Sequence, residues 1–243
     1  MPRPFISADR GPASSGGASK TQMVQVTRVD GSTYEAHAKF AEGAENGARG
    51  LASELLASGL ARLLNANVPD GVVVDLLPEQ TITLRDGCQP ASGLAVALTS
   101  IQPSVDVNDP SAILDISVHT LAVLSAAESW TEVGDRGHNM IRSHDEVYAV
   151  DFASAFASIW NGAVALPALV DDPLLRDRLL AEPLAMLGAA DTLELISNDE
   201  IDAAVGEVPD IWMDAAQKAA FCGGLKLTRQ SVVAQIRAQY PHP

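Results

Sequence analysis

Alternation of apolar and polar residues marks the first hundred positions, and helical periodicity marks the rest. Residues 24–29 and 33–40 alternate on either side of Asp30-Gly31, a turn pair that favours a β-hairpin. Residues 48–65 place Ala52, Leu55, Leu56, Gly59, Leu60, Leu63 and Leu64 on one stripe, predicting a helix whose opposite face carries Glu54, Ser58 and Arg62. After the breaker Asn67-Val68-Pro69-Asp70-Gly71, strands are predicted over 72–77, 81–85 and 94–98, with Asp86-Gly87 turning the chain. Residues 99–103 mark the change to helical sequence. From there helices are predicted over 111–130, 174–187, 191–195, 197–205 and 212–240. One hairpin interrupts them, with strands at 140–142 and 147–150 joined by a polar turn at 143–146.

Residues 1–20 are rich in Pro, Gly and Ser and by default look like a flexible tail. A second reading is open at Ser14-Ser15-Gly16-Gly17-Ala18-Ser19-Lys20-Thr21. Paired glycines with small hydroxylated neighbours, here Ser15, Gly16, Gly17 and Ser19, let backbone N–H groups approach phosphates closely. The stretch is no Walker A motif, because no Gly directly precedes Lys20 and a strand pattern follows it.

Composition narrows the functional classes. With 243 residues, 47% of them hydrophobic, the chain can bury a sizeable core. A formal charge of −15 without a basic stripe argues against nucleic acid as a partner. Cys88 and Cys222 lack the spacing of a zinc site or disulfide framework, which fits a reducing cytoplasm. No run reaches the roughly 18 apolar residues of a membrane span, and no signal-peptide pattern is present. A cytoplasmic protein without membrane partners is expected.

The candidate chemistry clusters around the second hairpin. Paired strands lie about 4.8 Å apart, so Asn139, entering the first strand, and Asp151, leaving the second, can both reach one hard cation, with Asp135 just upstream. Phosphoryl transfer on a magnesium nucleotide uses such a set: one carboxylate accepts the proton of the attacking hydroxyl, while an amide oxygen and a second carboxylate hold the metal. A surface hairpin with polar loops is the bland alternative, favoured for any single Asp. In the first hairpin Lys39 is either a solvated edge lysine or the phosphate-pinning lysine of a returning strand. Periodicity alone makes Glu54 a solvated acid. If the helix's polar face instead lines a cleft, Glu54 meets Lys39 there.

Taken in order, these pieces resemble the HipA-like kinases, a branch of the protein-kinase-like fold related to the phosphatidylinositol 3- and 4-kinases. The resemblance runs over the Ser14-to-Thr21 loop, Ala38-Lys39-Phe40, the helix around Glu54, Asn67-Val68-Pro69, Gly134-Asp135-Arg136 with His138-Asn139, and Val150-Asp151-Phe152. It extends to Ile196-Ser197-Asn198-Asp199-Glu200-Ile201 and Val208-Pro209-Asp210-Ile211-Trp212. It implies an α+β, bilobed protein-kinase-like fold, with a strand-rich N-lobe over residues 1–100 and a helical C-lobe over 101–243. It further implies ATP and Mg2+ as cofactors and γ-phosphate transfer to a protein Ser/Thr, with an antitoxin or regulator as a further partner. By carry-over, Ser15, Gly16, Gly17, Ser19, Lys39 and Glu54 bind the nucleotide, Asp135 is the base, and Asn139 and Asp151 hold the metal. The Asp135-to-Asn139 spacing is one residue shorter than in the relatives, and Ala153 stands where they carry Gly. A nucleotide-binding pseudokinase and a small-molecule kinase on the same fold are the alternatives.

Overall fold

The computed structural model describes residues 2–13, 20–107, 115–133, 139–163 and 173–240. Eight strands and seven helices follow in chain order among the described residues. They are β1 (Phe5–Pro12), β2 (Gln22–Thr27), β3 (Thr33–Lys39), α1 (Ala48–Leu63), β4 (Gly71–Leu76), β5 (Gly93–Thr99) and β6 (Val105–Asp106). After them come α2 (Val118–Thr131), β7 (Met140–Ser143), β8 (Glu146–Ala149), α3 (Ala157–Trp160), α4 (Pro173–Ala181), α5 (Pro183–Leu195), α6 (Asn198–Glu207) and α7 (Ala215–Gln239).

The first five strands close into a barrel in the order β1-β2-β3-β5-β4. Its closure comes from β1, where sequence reading expected a tail. Phe5–Pro12 pairs antiparallel with β2 and touches β4 in parallel at Phe5 and Asp75. Two register shifts, between Ile6 and Ala8 and between Asp9 and Gly11, break the apolar–polar alternation that would have announced a strand. The second correction concerns residues 81–85, which form no strand. Ile82 and Leu84 alternate because both point into the barrel, where they join Val24, Val26, Ala36, Ala38, Val74 and Leu76. Backbone bonds from Leu84 N to Cys88 O and from Gly87 N to Leu84 O then turn the chain, at 2.8 Å each.

On the barrel's outer side, Val96 and Leu98 of β5 pack with α1 in a larger core that continues through α2, α5, α6 and α7 to Tyr240. Helix α2 is buried without interruption from Leu121 to Thr131. It starts at Val118, where Ser117 caps it by accepting from Thr120 N, and residues 111–114 of the expected helix lie outside the described residues. At its far end the Trp130 indole donates to Leu225 O, 3.0 Å away, which ties α2 to α7. The Ser197–Glu200 capping box of α6 accounts for the acids in its first turn. β6, β7 and β8 form a small separate sheet. No helix is long and apolar enough to cross a membrane among the described residues.

Candidate functional site

Lys39 is the last residue of β3, a strand hydrogen-bonded on both sides, to β2 and to β5. It is therefore no edge lysine. Alternation sends its side chain to the outer face of the barrel, where α1 lies, and only 5% of it is exposed. Helix α1 departs from its amphipathic reading: every residue from Gly50 to Ser58 is buried, together with Leu60 and Ala61. Its polar face is thus a packed face. Glu54, at 1% exposure, points from it to Lys39, with Oε2 2.7 Å from Nζ.

The second carboxylate on Lys39 is Asp151, whose Oδ1 lies 2.7 Å from the same Nζ. The β7–β8 hairpin delivers it. Met140 pairs with Ala149 and Ser143 with Glu146, so the turn is His144-Asp145, and the open end lies at Asn139 and Val150. Val150 N donates to Asn139 O at 2.9 Å, which sets Asn139 beside the start of Asp151. Asp151 itself adopts φ 60°, a left-handed conformation that Asp tolerates better than most residues. Its side chain stays 35% exposed.

The segment after Asp151 runs along α1 and holds it at three points. Phe152 N donates to Glu54 Oε2 (2.9 Å), and Ser53 Oγ donates to Ala155 O (3.1 Å). Ser53 Oγ also accepts from Trp160 Nε1 (2.9 Å), and the Trp160 ring carries the Arg49 guanidinium 4.8 Å from its centroid. At the third point a Cβ on Gly50 would be in ordinary contact with Ala153 O at 3.7 Å, while the approach that requires glycine there is that of Glu45 O, 2.0 Å from the same Cβ. Ala153 is buried, and the left-handed residues are Asp151 and Phe156, so alanine at 153 introduces no strain.

Electrostatically the cluster has two carboxylates for one ammonium. Burial alone would push Lys39 down, but Glu54 and then Asp151 more than offset it and hold the ammonium above its ordinary value. Burial raises the Glu54 carboxyl, against the pull of Lys39 and with the help of Asp151's charge. Glu54 Oε1 is buried without a hydrogen-bond partner among the described residues. This excess of negative charge, next to the one-third-exposed Asp151, suits a hard cation shared with Asn139. Among the described residues no group of three or more His, Cys, Asp and Glu side chains could hold a metal, so a cation here would depend on the amide and on ligand oxygens.

Of the residues read from sequence, the structure brings Lys39, Glu54 and Asp151 into direct contact and sets Asn139 beside them. Ser15, Gly16, Gly17, Ser19 and Asp135 lie outside the described residues, although Ala13 N donates to Thr21 O (3.1 Å) at the base of the first loop. Sequence reading missed the Lys39–Asp151 contact, the Phe152 amide and the Ser53–Trp160 link. None has a local signal, since each joins residues roughly a hundred positions apart. A cavity of about 560 Å³ at the opposite end of the barrel, lined by Arg28, Tyr34, Arg62 and Asp70, includes none of them.

No protein-family model matches the sequence, and no curated protein sequence matches it. Solved structures do. The chain is similar to the Helicobacter pylori proinflammatory kinase CtkA, with 12% identity, a TM-score of 0.58, and 97% of this chain and 95% of that one covered. It also overlaps the FAT and kinase domain of CtTel1 at 14% identity and a TM-score of 0.38, covering 98% of this chain and 24% of that one. For the MAP kinase LmaMPK10 from Leishmania major the figures are 11%, 0.29, 96% and 82%. The fold is protein-kinase-like, and the likeness to CtkA carries that conclusion.

Proposed function

We propose that this chain is an ATP- and Mg2+-dependent kinase of the HipA type that transfers the γ-phosphate to a protein serine or threonine. The observation that carries the reading is the buried Lys39 held by both Glu54 and Asp151. Lysine at this place binds phosphate oxygens as a point charge, and Glu54 fixes its position from a helix packed on all sides. Asp151 and Asn139 would hold Mg2+, which when bound supplies the charge that neutralises the phosphates. Asp135 is the residue assigned to accept the proton of the attacking hydroxyl. In this reading residues 1–100 and 101–243 are the two lobes, with Lys39 and Glu54 on one side of the cleft and Asp151 on the other. Its setting is cytoplasmic and its partners are a protein substrate and an antitoxin or regulator.

The test is incubation of the purified chain with γ-labelled ATP and Mg2+, alone and with a lysate protein mixture, beside Asp151→Asn and Asp135→Ala. Label on protein with the parent and none with either variant supports the kinase. Equal labelling by parent and variants overturns it. ATP binding without any transfer by the parent assigns the chain to the pseudokinases instead.

A further inference from the structure

Strand β3 carries further side chains on the face that bears Lys39. Ala36 and Ala38 point into the barrel, so Glu35, His37 and Lys39 project from its outer side. His37 precedes Lys39 by two residues, about 6.6 Å along the strand, roughly the reach of the ribose between a base and its phosphates. It pairs in register with Leu98, and its ring Nε2 lies 3.4 Å from Ser100 Oγ, just beyond the end of β5. Ser100 N in turn donates to Glu35 O at 3.0 Å, so the start of residues 99–103, the linker from the strand-rich to the helical sequence, is fastened to β3. A half-buried imidazole thus stands between the proposed phosphate anchor and the linker, and among the outward side chains of β3 it alone is aromatic.

We propose that His37 is the platform on which the base of a bound nucleoside triphosphate stacks, so that the site recognises its nucleotide by aromatic contact more than by the base's hydrogen-bonding edge. The inference rests on the nucleotide-binding reading of Lys39. The contact to Ser100 is long, so the ring gives up little when a base slides against it. Burial, and then the Lys39 charge, push the imidazole below its ordinary pKa, which favours the uncharged ring, and the ring keeps part of its surface exposed. Every base has a π-face, so stacking discriminates weakly between bases and favours the larger purines.

The experiment is calorimetric titration of the full chain, with Mg2+ present, using ATP, GTP, CTP and inorganic tripolyphosphate as probes on the parent, His37→Ala and His37→Phe. Removing the ring should weaken ATP and GTP about tenfold and leave tripolyphosphate unchanged, while Phe should keep purine affinity within about threefold of the parent. Parent-like ATP affinity in His37→Ala overturns the proposal, and so does Phe behaving like Ala, or tripolyphosphate weakening in step with ATP. A parent that binds tripolyphosphate as tightly as ATP also overturns it, while sparing the phosphate role of Lys39. A parent that binds neither probe overturns the nucleotide reading itself.

Discussion

Lys39 Nζ stands 2.7 Å from Asp151 Oδ1 although 112 residues separate them. The contact joins the end of the barrel's third strand to the mouth of the β7–β8 hairpin, and Glu54 completes it from a helix wedged between the two. Such a cluster is electrostatically expensive to assemble and is stable only when each charge has its partner. Its behaviour on substitution is therefore sharply unequal between single and paired changes.

Lys39→Met leaves the buried Glu54 without its ammonium and should cost about 3–5 kcal/mol in urea unfolding, whereas Lys39→Met with Glu54→Gln, which removes the charge and keeps an acceptor for Phe152 N, should recover most of that loss. The pH dependence follows from Glu54, whose carboxyl burial already raises above its ordinary value. A folded state that binds this proton more tightly than the unfolded chain is most stable at low pH and loses that stability as pH rises through the raised pKa. Lys39→Met should accordingly regain stability relative to the parent on acidification from about pH 8 to about pH 5. A pH-independent difference, or a double variant no better than the single, contradicts the pairing.

Two glycines in α1 should respond in opposite directions. At Gly50 a methyl group would meet the Glu45 carbonyl at 2.0 Å, so Gly50→Ala has to displace backbone and should cost about 1–3 kcal/mol. At Gly59 the nearest atom is the Arg62 guanidinium, 4.0 Å away, and Ala there should stabilise the helix by about 0.5–1 kcal/mol. Thermal melts of both variants decide the matter, and a stabilised Gly50→Ala would refute the close approach.

Asp151→Asn keeps a residue that tolerates left-handed backbone but removes the charge facing a cation. Calorimetry should show Mg2+-dependent ATP binding lost in this variant with little change in melting temperature. Asp151→Ala adds backbone strain at φ 60° and should be about 1 kcal/mol less stable than Asp151→Asn. Undiminished Mg2+-dependent affinity in Asp151→Asn removes Asp151 from the metal site.

What was legible in the sequence was local. The Asp30-Gly31 hairpin, helix α1, the β7–β8 hairpin and the capped α6 all follow from turn chemistry and periodicity within a few residues, and they put Lys39, Glu54 and Asp151 on the correct elements. Irregularity concealed the rest. Two register shifts in β1 hid a barrel strand inside a Pro- and Gly-rich segment, and inward-pointing Ile82 and Leu84 imitated a strand without a ladder. Periodicity also misjudged the environment of Glu54. It gives a residue's direction around the helix, whereas burial depends on what packs there, and the segment from Phe152 to Trp160 covers the side that appeared solvated.

That cover turns on Ser53, the residue before Glu54. Its hydroxyl donates to Ala155 O at 3.1 Å and accepts from Trp160 Nε1 at 2.9 Å, so one small side chain joins α1 to two points of the segment following the Phe152 amide. Ser53→Ala leaves a buried carbonyl and an indole N–H without a partner, which should cost about 1–3 kcal/mol, more than the loss of one ordinary hydrogen bond. Trp160→Phe removes the indole donor while keeping a ring against Phe221, whose centroid lies 4.6 Å from that of Trp160. If Ser53 and Trp160 act through their shared bond, Trp160→Phe should cost less in the Ser53→Ala background than in the parent, with a coupling of at least about 0.5 kcal/mol. Urea unfolding of the four proteins measures it. Strict additivity would mean that Ser53 serves only the Ala155 carbonyl and that Trp160 is held by packing alone.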